Sequence, residues 1–361
     1  MENTPPSRRK WRWGFHRWLI LLLIVGNIIA ARAYSPVMPH VQVPAEPLAG
    51  PVQLPLLGEI YLTNTLVAVL IADGLLILMA IAVQRALRSG ELVPGGIAGV
   101  VEAILEALYN LAESTTQKWA GRIFPWVATI VLMVLVVNWT ELIPGVDSIG
   151  SLHEPHHGAP SYETQELFKI GSLSVSTITE KIELEEVGAE SGHSESEHAP
   201  KGLGFTPFVR VASTDLNFTL ALALTSVVMS QVIGVRAIGL GYFKKFFNFG
   251  GFLKAFGKEK FNPFELIFAF TDVLVGLLEL MTEFARIISF AFRLFGNIFA
   301  GSVLLFVMGS LIPVVVQSGF LFLELFVGLI QALVFGMLTL VFMTMATMAH
   351  DEHGEENEEA H

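Results

Sequence analysis

The stretch Ser289-Phe-Ala-Phe-Arg293-Leu-Phe-Gly-Asn297-Ile-Phe-Ala-Gly301 places one guanidinium in the middle of a long apolar region. Several apolar runs of the chain exceed the ~20 residues that cross a bilayer, so the setting is hydrocarbon rather than water. A guanidinium there costs from roughly 3 to more than 10 kcal/mol. It cannot escape by losing its proton, because its pKa exceeds about 12. The charge of Arg293 is therefore permanent, and something mobile and negative, or water, must visit it. Such a residue points to ion transport.

Working outward, the composition fits an all-α integral membrane protein. Hydrophobic residues make up 53% of the chain and charged residues 15%, so counting soluble domains by length does not apply. Cysteine is absent, which excludes disulfide and thiolate chemistry. No basic patch with interleaved aromatics suggests nucleic acid, and no Gly-x-x-x-x-Gly-Lys-Ser/Thr loop suggests nucleotide binding. No cofactor and no metal is expected.

About five membrane-embedded helices are expected after an N-terminal signal-like segment. In residues 1–33, Arg8, Arg9, Lys10, Arg12 and Arg17 precede an apolar run ending in Ala31-Arg32-Ala33. That pattern reads as a cleaved signal or, alternatively, an uncleaved anchor. Residues 34–58 are Pro-rich and read as an extended external segment. Residues 59–150 hold two spans, about Leu62–Val83 and Phe124–Ile143. Between them, residues 95–118 repeat apolar positions at helical spacing (Val100, Val101, Ile104, Leu105, Leu108, Leu111) against Glu102, Glu106 and Glu113. Asp73, inside the first span, reads equally as a satisfied carboxylate or a transport residue. Residues 151–204 carry five His, ten Glu and three Lys, and read as an external polar loop. Its histidines are irregularly spaced, which favours a solvated loop over a metal site, and the alternation from Leu173 suits a short hairpin. Residues 205–260 hold a third span, about Leu216–Ile233, and a basic loop with Arg236, Lys244, Lys245, Lys254, Lys258 and Lys260. The positive-inside rule makes that loop cytoplasmic. Residues 261–348 form a helical hairpin, and residues 349–361 an acidic tail. No proline stands between Pro263 and Pro313, so a continuous helix there is on the order of 70 Å long. The hydrocarbon is only about 30 Å thick, so this arm either turns or tilts strongly.

At 100° per residue, Glu279, Arg293 and Asn297 share one side of the first arm, with Arg286 close to the same line. Glu283 can neutralise Arg286 at i, i+3. Ser302 falls near the opposite side. Glu324 and Gln331 share one line on the second arm, whereas Thr339 and Thr344 suit bonds to their own backbone carbonyls. Gly296, Ala300 and Gly301 allow a partner helix to pass close to Arg293. The guanidinium cannot relay a proton, but it lowers the pKa of a carboxylate brought near it. Glu279, Asn297, Ser302, Glu324 and Gln331 are candidates to line aqueous exits for the released proton.

At these residues the chain resembles subunit a of the bacterial F-type (F1Fo) ATP synthase. Arg293-Leu-Phe-Gly-Asn-Ile-Phe-Ala-Gly301 carries the resemblance, together with Asn138–Pro144, Thr214-Asp-Leu-Asn-Phe-Thr219 and Gln331-Ala-Leu-Val-Phe335. It covers about 60–348 apart from 151–204. The resemblance implies a stator proton-channel subunit in the cell's inner membrane, with an external N-terminus, a cytoplasmic C-terminus and no catalytic site of its own. It implies two half-channels leading to the carboxylates of a ring of c subunits, with the essential arginine at Arg293 between them. The other polar positions fall on Glu279, Asn297, Ser302, Glu324 and Gln331. Implied partners are the c-ring, the b subunits of the peripheral stalk, the rest of the complex and membrane lipid. Many relatives place an acid where Ser302 stands, and many bacterial ones a histidine where Glu324 stands. The departures suggest a carboxylate moved from one arm to the other. A stand-alone secondary transporter is the rival reading; a metal-handling protein using the His-rich loop and a purely structural anchor are weaker ones.

Overall fold

In hydrocarbon every backbone N–H and C=O must be satisfied within the chain, so the apolar runs form helices. The computed structural model describes residues 13–33, 44–55, 58–88, 96–143, 145–153, 161–170, 173–182, 203–246, 263–311 and 315–348. The helices are α1 (Trp13–Ala33), α2 (Asn64–Arg88), α3 (Ile97–Thr116), α4 (Ala120–Trp139), α5 (Leu216–Ile238), α6 (Pro263–Leu311) and α7 (Val315–Thr347). Among the described residues, five helices are long and apolar enough to cross a membrane: α2, α4 with its 3-10 extension to Leu142, α5, α6 and α7. This is a multi-pass, all-α membrane protein. The α6 helix runs through 49 residues without a break, about 74 Å at 1.5 Å per residue. Of the two expectations for this arm, the interrupting turn is absent.

The chain divides into two compact units. The larger comprises residues 42–149, 208–300 and 325–361, and its core is built around α4. Ile123, Val127, Ile130, Val131, Val134 and Val137 of α4 are buried in that core. Ala68 and Ala72 of α2, Leu108 and Ala112 of α3, and Phe335, Leu340 and Met343 of α7 belong to the same cluster. Gly336 of α7 sits so close to Val131 that a Cβ there would collide with its methyl. Lipid tails are as apolar as leucine, so close backbone approach and polar contacts replace hydrophobic drive between helices. The polar contacts join α5 to α7: the hydroxyls of Ser226 and Thr339 lie 2.8 Å apart, and Ser230 donates to the Phe342 carbonyl at 3.1 Å. As expected, Glu102, Glu106 and Glu113 of α3 are exposed while Val101 and Leu108 are buried, and Ala112 is buried with them; Val100 departs from this pattern and is exposed.

Short strands lie outside the spans. β1 (Pro47–Leu54) pairs with β2 (Gly58–Thr63), so the Pro-rich segment is a hairpin at its end rather than extended throughout. The smaller unit comprises residues 1–41, 150–207 and 301–324. In it β3 (Gly150–His153) pairs with β6 (Gly204–Pro207). β4 (Ser161–Ile170) pairs with β5 (Leu173–Ile182), with Ile170 opposite Leu173 at the tight end. The 151–204 segment is thus more ordered than a plain polar loop. Tyr162, Thr164, Phe168 and Ile170 supply the β-forming residues of the second arm, interleaved with glutamates that mask the signal. Of its five histidines only His153 is described. Lys254, Lys258 and Lys260 of the basic loop, and the tail after Met348, lie outside the described residues.

Candidate functional site

Arg293 sits on the larger unit's portion of α6, which stays helical because no proline follows Pro263 within it and an apolar stretch must satisfy its backbone within itself. It is exposed, together with Ser289, Phe292, Gly296, Asn297 and Ala300. The buried side of the same turns is Phe290, Ala291, Leu294 and Ile298. Among the described residues, no carboxylate pairs with Arg293. The permanent cation therefore looks outward from an apolar span, and Asn297 stands beside it as anticipated from helical spacing. Glu279 is half-buried, on the same line.

Two turns before Arg293, Arg286 donates to the buried Glu283 at 2.8 Å, the i, i+3 pair expected from the sequence. Its guanidinium also lies over the Phe342 ring of α7, 4.6 Å from the centroid. Phe290 packs on Phe335 and Phe342 at 5.1 and 5.2 Å, so α6 and α7 run antiparallel here. Gln331, on α7, is buried.

In the smaller unit, Ser302 is buried, and the carboxyl of Glu324 lies against Gly301. A methyl at residue 301 would collide with that carboxyl. Gly301 thus serves packing within the chain, whereas Gly296 and Ala300 are the small residues left open. Glu324 is buried and its Oε1 has no hydrogen-bond partner among the described residues. A polar end with unused bonding capacity inside a membrane helix marks function more often than structure. Thr339 and Thr344 bond to the carbonyls of Phe335 and Leu340, as expected of weak candidates.

One cluster in the larger unit escaped the sequence reading. Arg210 donates from Nε to Thr214 at 3.1 Å and from Nη1 to the Pro44 carbonyl at 3.4 Å. Burial lowers its pKa, while the charges of Glu46, Asp215, Asp147 and Glu141, in that order, raise it again. Asp215 caps α5 by accepting from Asn217 N–H, and it accepts from Thr65 of α2 at 2.9 Å. Asn64 holds Glu46 through hydrogen bonds with its backbone and its carboxylate. Burial pushes Asp147 up to about 6, against the lowering pull of Arg210. Beside this cluster Ser213 donates to Asn138 at 2.6 Å, and Asn138 donates to the Gly328 carbonyl at 3.3 Å. Four carboxylates from separate segments around one guanidinium leave an excess of negative charge in a shielded place. The only hint in the sequence was that Glu141 and Asp215 lie inside the recognised motifs.

Comparison with known proteins bears on this arrangement of five spans and an outward arginine. The family model described as ATP synthase A chain matches residues 62–344. The chain belongs to that family. ATP synthase subunit a of Moorella thermoacetica is 23% identical over 301 residues, covering 83% of this chain and 98% of the relative. That of Campylobacter jejuni is 26% identical over 283 residues, covering 78% and 90%. That of Mycobacterium tuberculosis is 25% identical over 301 residues, covering 82% and 92%. The match of the family model contains α2 to α6 and most of α7, and hence Glu279, Arg293, Asn297, Ser302, Glu324 and Gln331.

Proposed function

We propose that this chain is the ion-conducting stator subunit of the membrane Fo sector of a bacterial rotary ATP synthase. It provides two half-channels to and from the carboxylates of a c-ring, with Arg293 between them. What carries the reading is the exposed guanidinium of Arg293 in the middle of an apolar helix, uncompensated among the described residues. With no carboxylate paired to it among the described residues, a ring carboxylate carried past it from another chain fits its need for a counter-charge. Approaching Arg293, a neutral carboxylic acid ionises and its proton leaves through water. A fixed cation between the half-channels also blocks direct leakage of cations. The proton-motive force supplies about 2.3 kcal/mol per charge per 100 mV. No covalent step belongs to this chain, and ATP forms in the soluble head.

In this reading, residues 1–33 are a signal peptide, 34–58 and 151–204 are external, and 349–361 are a cytoplasmic tail in the inner membrane. Arg85, Arg88 and the basic stretch from Arg236 set that orientation. Glu279 serves the cytoplasmic path. Ser302, Glu324 and Gln331 serve the external one, and Asn297 stands beside the arginine. The b subunits of the peripheral stalk hold the chain against rotation. Arg293→Ala tests the assignment in membrane vesicles carrying the whole complex. Proton-driven synthesis should fall to background while the head still hydrolyses ATP. Normal synthesis in that variant would overturn the assignment.

A further inference from the structure

Two permanent cations lie on nearly one line of α6. Arg286 and Arg293 are seven residues apart, which places them about 20° apart around the axis and about 10 Å apart along it. Their treatment is opposite. Arg293 is bare. Arg286 is held by the Glu283 carboxylate at 2.8 Å and covered by the ring of Phe342. Glu283 is itself buried, so it sits where a charge is tolerated only as half of a pair. Tyr242, from the 3-10 stretch Gly239–Lys245 after α5, approaches the same place. Its ring packs on Gly234, where no Cβ would fit, and its hydroxyl donates to Gln231 at 2.8 Å. Burial pushes the Tyr242 hydroxyl up to about 12, with Glu283 adding to the rise, Arg286 opposing it and Glu279 adding least. Among the described residues, the charged and titratable groups that act at this place besides the pair are Tyr242 from the α5 side and Glu279 on the same helix. Phe342, which covers it from α7, is uncharged.

We propose that Glu283 silences Arg286, so that Arg293 is the one guanidinium to which passing ring carboxylates respond. The argument rests on the functional reading above, which supplies the carboxylates and places Arg286 on the cytoplasmic side of Arg293. An unpaired Arg286 would present a second attractive cation on the line along which a carboxylate regains its proton from the cytoplasm. It would hold that group ionised at pH values where it should be neutral. Glu283 is a positioning residue in this scheme: it touches no proton in transit and sets the field in which transfer occurs.

The test is ATP-driven proton pumping by the whole complex in inverted vesicles, whose medium is the cytoplasmic side, as a function of medium pH. Glu283→Gln should move the alkaline limb of the profile to lower pH by at least about half a unit. Glu283→Gln with Arg286→Gln should return it to the wild-type position. Arg286→Gln alone should leave it in place, because a lone buried carboxyl takes up a proton and becomes neutral. A merely structural pair would lower the amount of assembled complex in both single variants and move no limb. That outcome, or an acid shift that persists in the double variant, overturns the proposal. Arg293→Ala is run in parallel in the synthesis direction. If it still makes ATP the functional reading fails, whereas if it is inactive and Glu283→Gln shows no shift, only this inference fails.

Discussion

Arg210 and Arg293 are both arginines of the larger unit, and their surroundings are opposites. Arg210 draws on Glu46, Asp215, Asp147 and Glu141, carboxylates supplied by its own chain. Arg293 has none within the described residues and faces outward among Ser289, Gly296 and Asn297. The first arrangement is complete in a single chain, and its charges hold helix ends and loops together. The second is finished only when another molecule arrives. A membrane arginine that lacks a partner in its own chain is therefore the stronger mark of function, and one with many partners the stronger mark of structure.

Substitutions that break either side of this contrast should differ in kind. Arg210→Ala strands buried carboxylates, which typically costs about 3–5 kcal/mol. It should deplete assembled complex from the membrane, measured by immunoblot, rather than produce a stable inactive one. Glu324→Gln should do the reverse, leaving assembly intact while slowing proton-driven synthesis by about a hundredfold, the scale of losing one proton-transfer group. Gly336→Leu forces α7 away from Val131 and should cost about 1–3 kcal/mol, read as earlier thermal dissociation with rates preserved in the intact fraction. Asp147→Asn is the mildest. With a folded pKa near 6, raised from 3.8, ionising Asp147 disfavours the folded state. Its favourable contribution is complete below about pH 4 and is lost as pH rises through 6. The amide should remove that step from stability profiles, without lowering the maximum rate.

Much of this was legible in the residues. The five spans follow from apolar length, α3 from its 3.6-residue period, and the Glu283–Arg286 pair from i, i+3 spacing. Arg293 stands out because no soluble explanation exists for it. The Arg210 cluster was not legible: Glu46, Thr65, Glu141, Asp147 and Asp215 are scattered over some 170 positions, and only folding brings them to one guanidinium. The β4 strand was hidden for a different reason, since Glu163, Gln165, Glu166 and Lys169 make a largely exposed strand look like a polar loop. Gly301 was read as an opening for another helix, yet it accommodates Glu324, because glycine in a sequence does not say which neighbour comes close.

The central claim is that a foreign helix completes the face around Arg293. The chain has no cysteine, so one introduced at the exposed Gly296 is unique in it. Gly296→Cys, labelled with a short photo-crosslinker in assembled membranes, should capture a small two-helix proteolipid with a mid-membrane carboxylate. Capture of lipid alone, or crosslinks confined to the helices of this chain, would contradict the account.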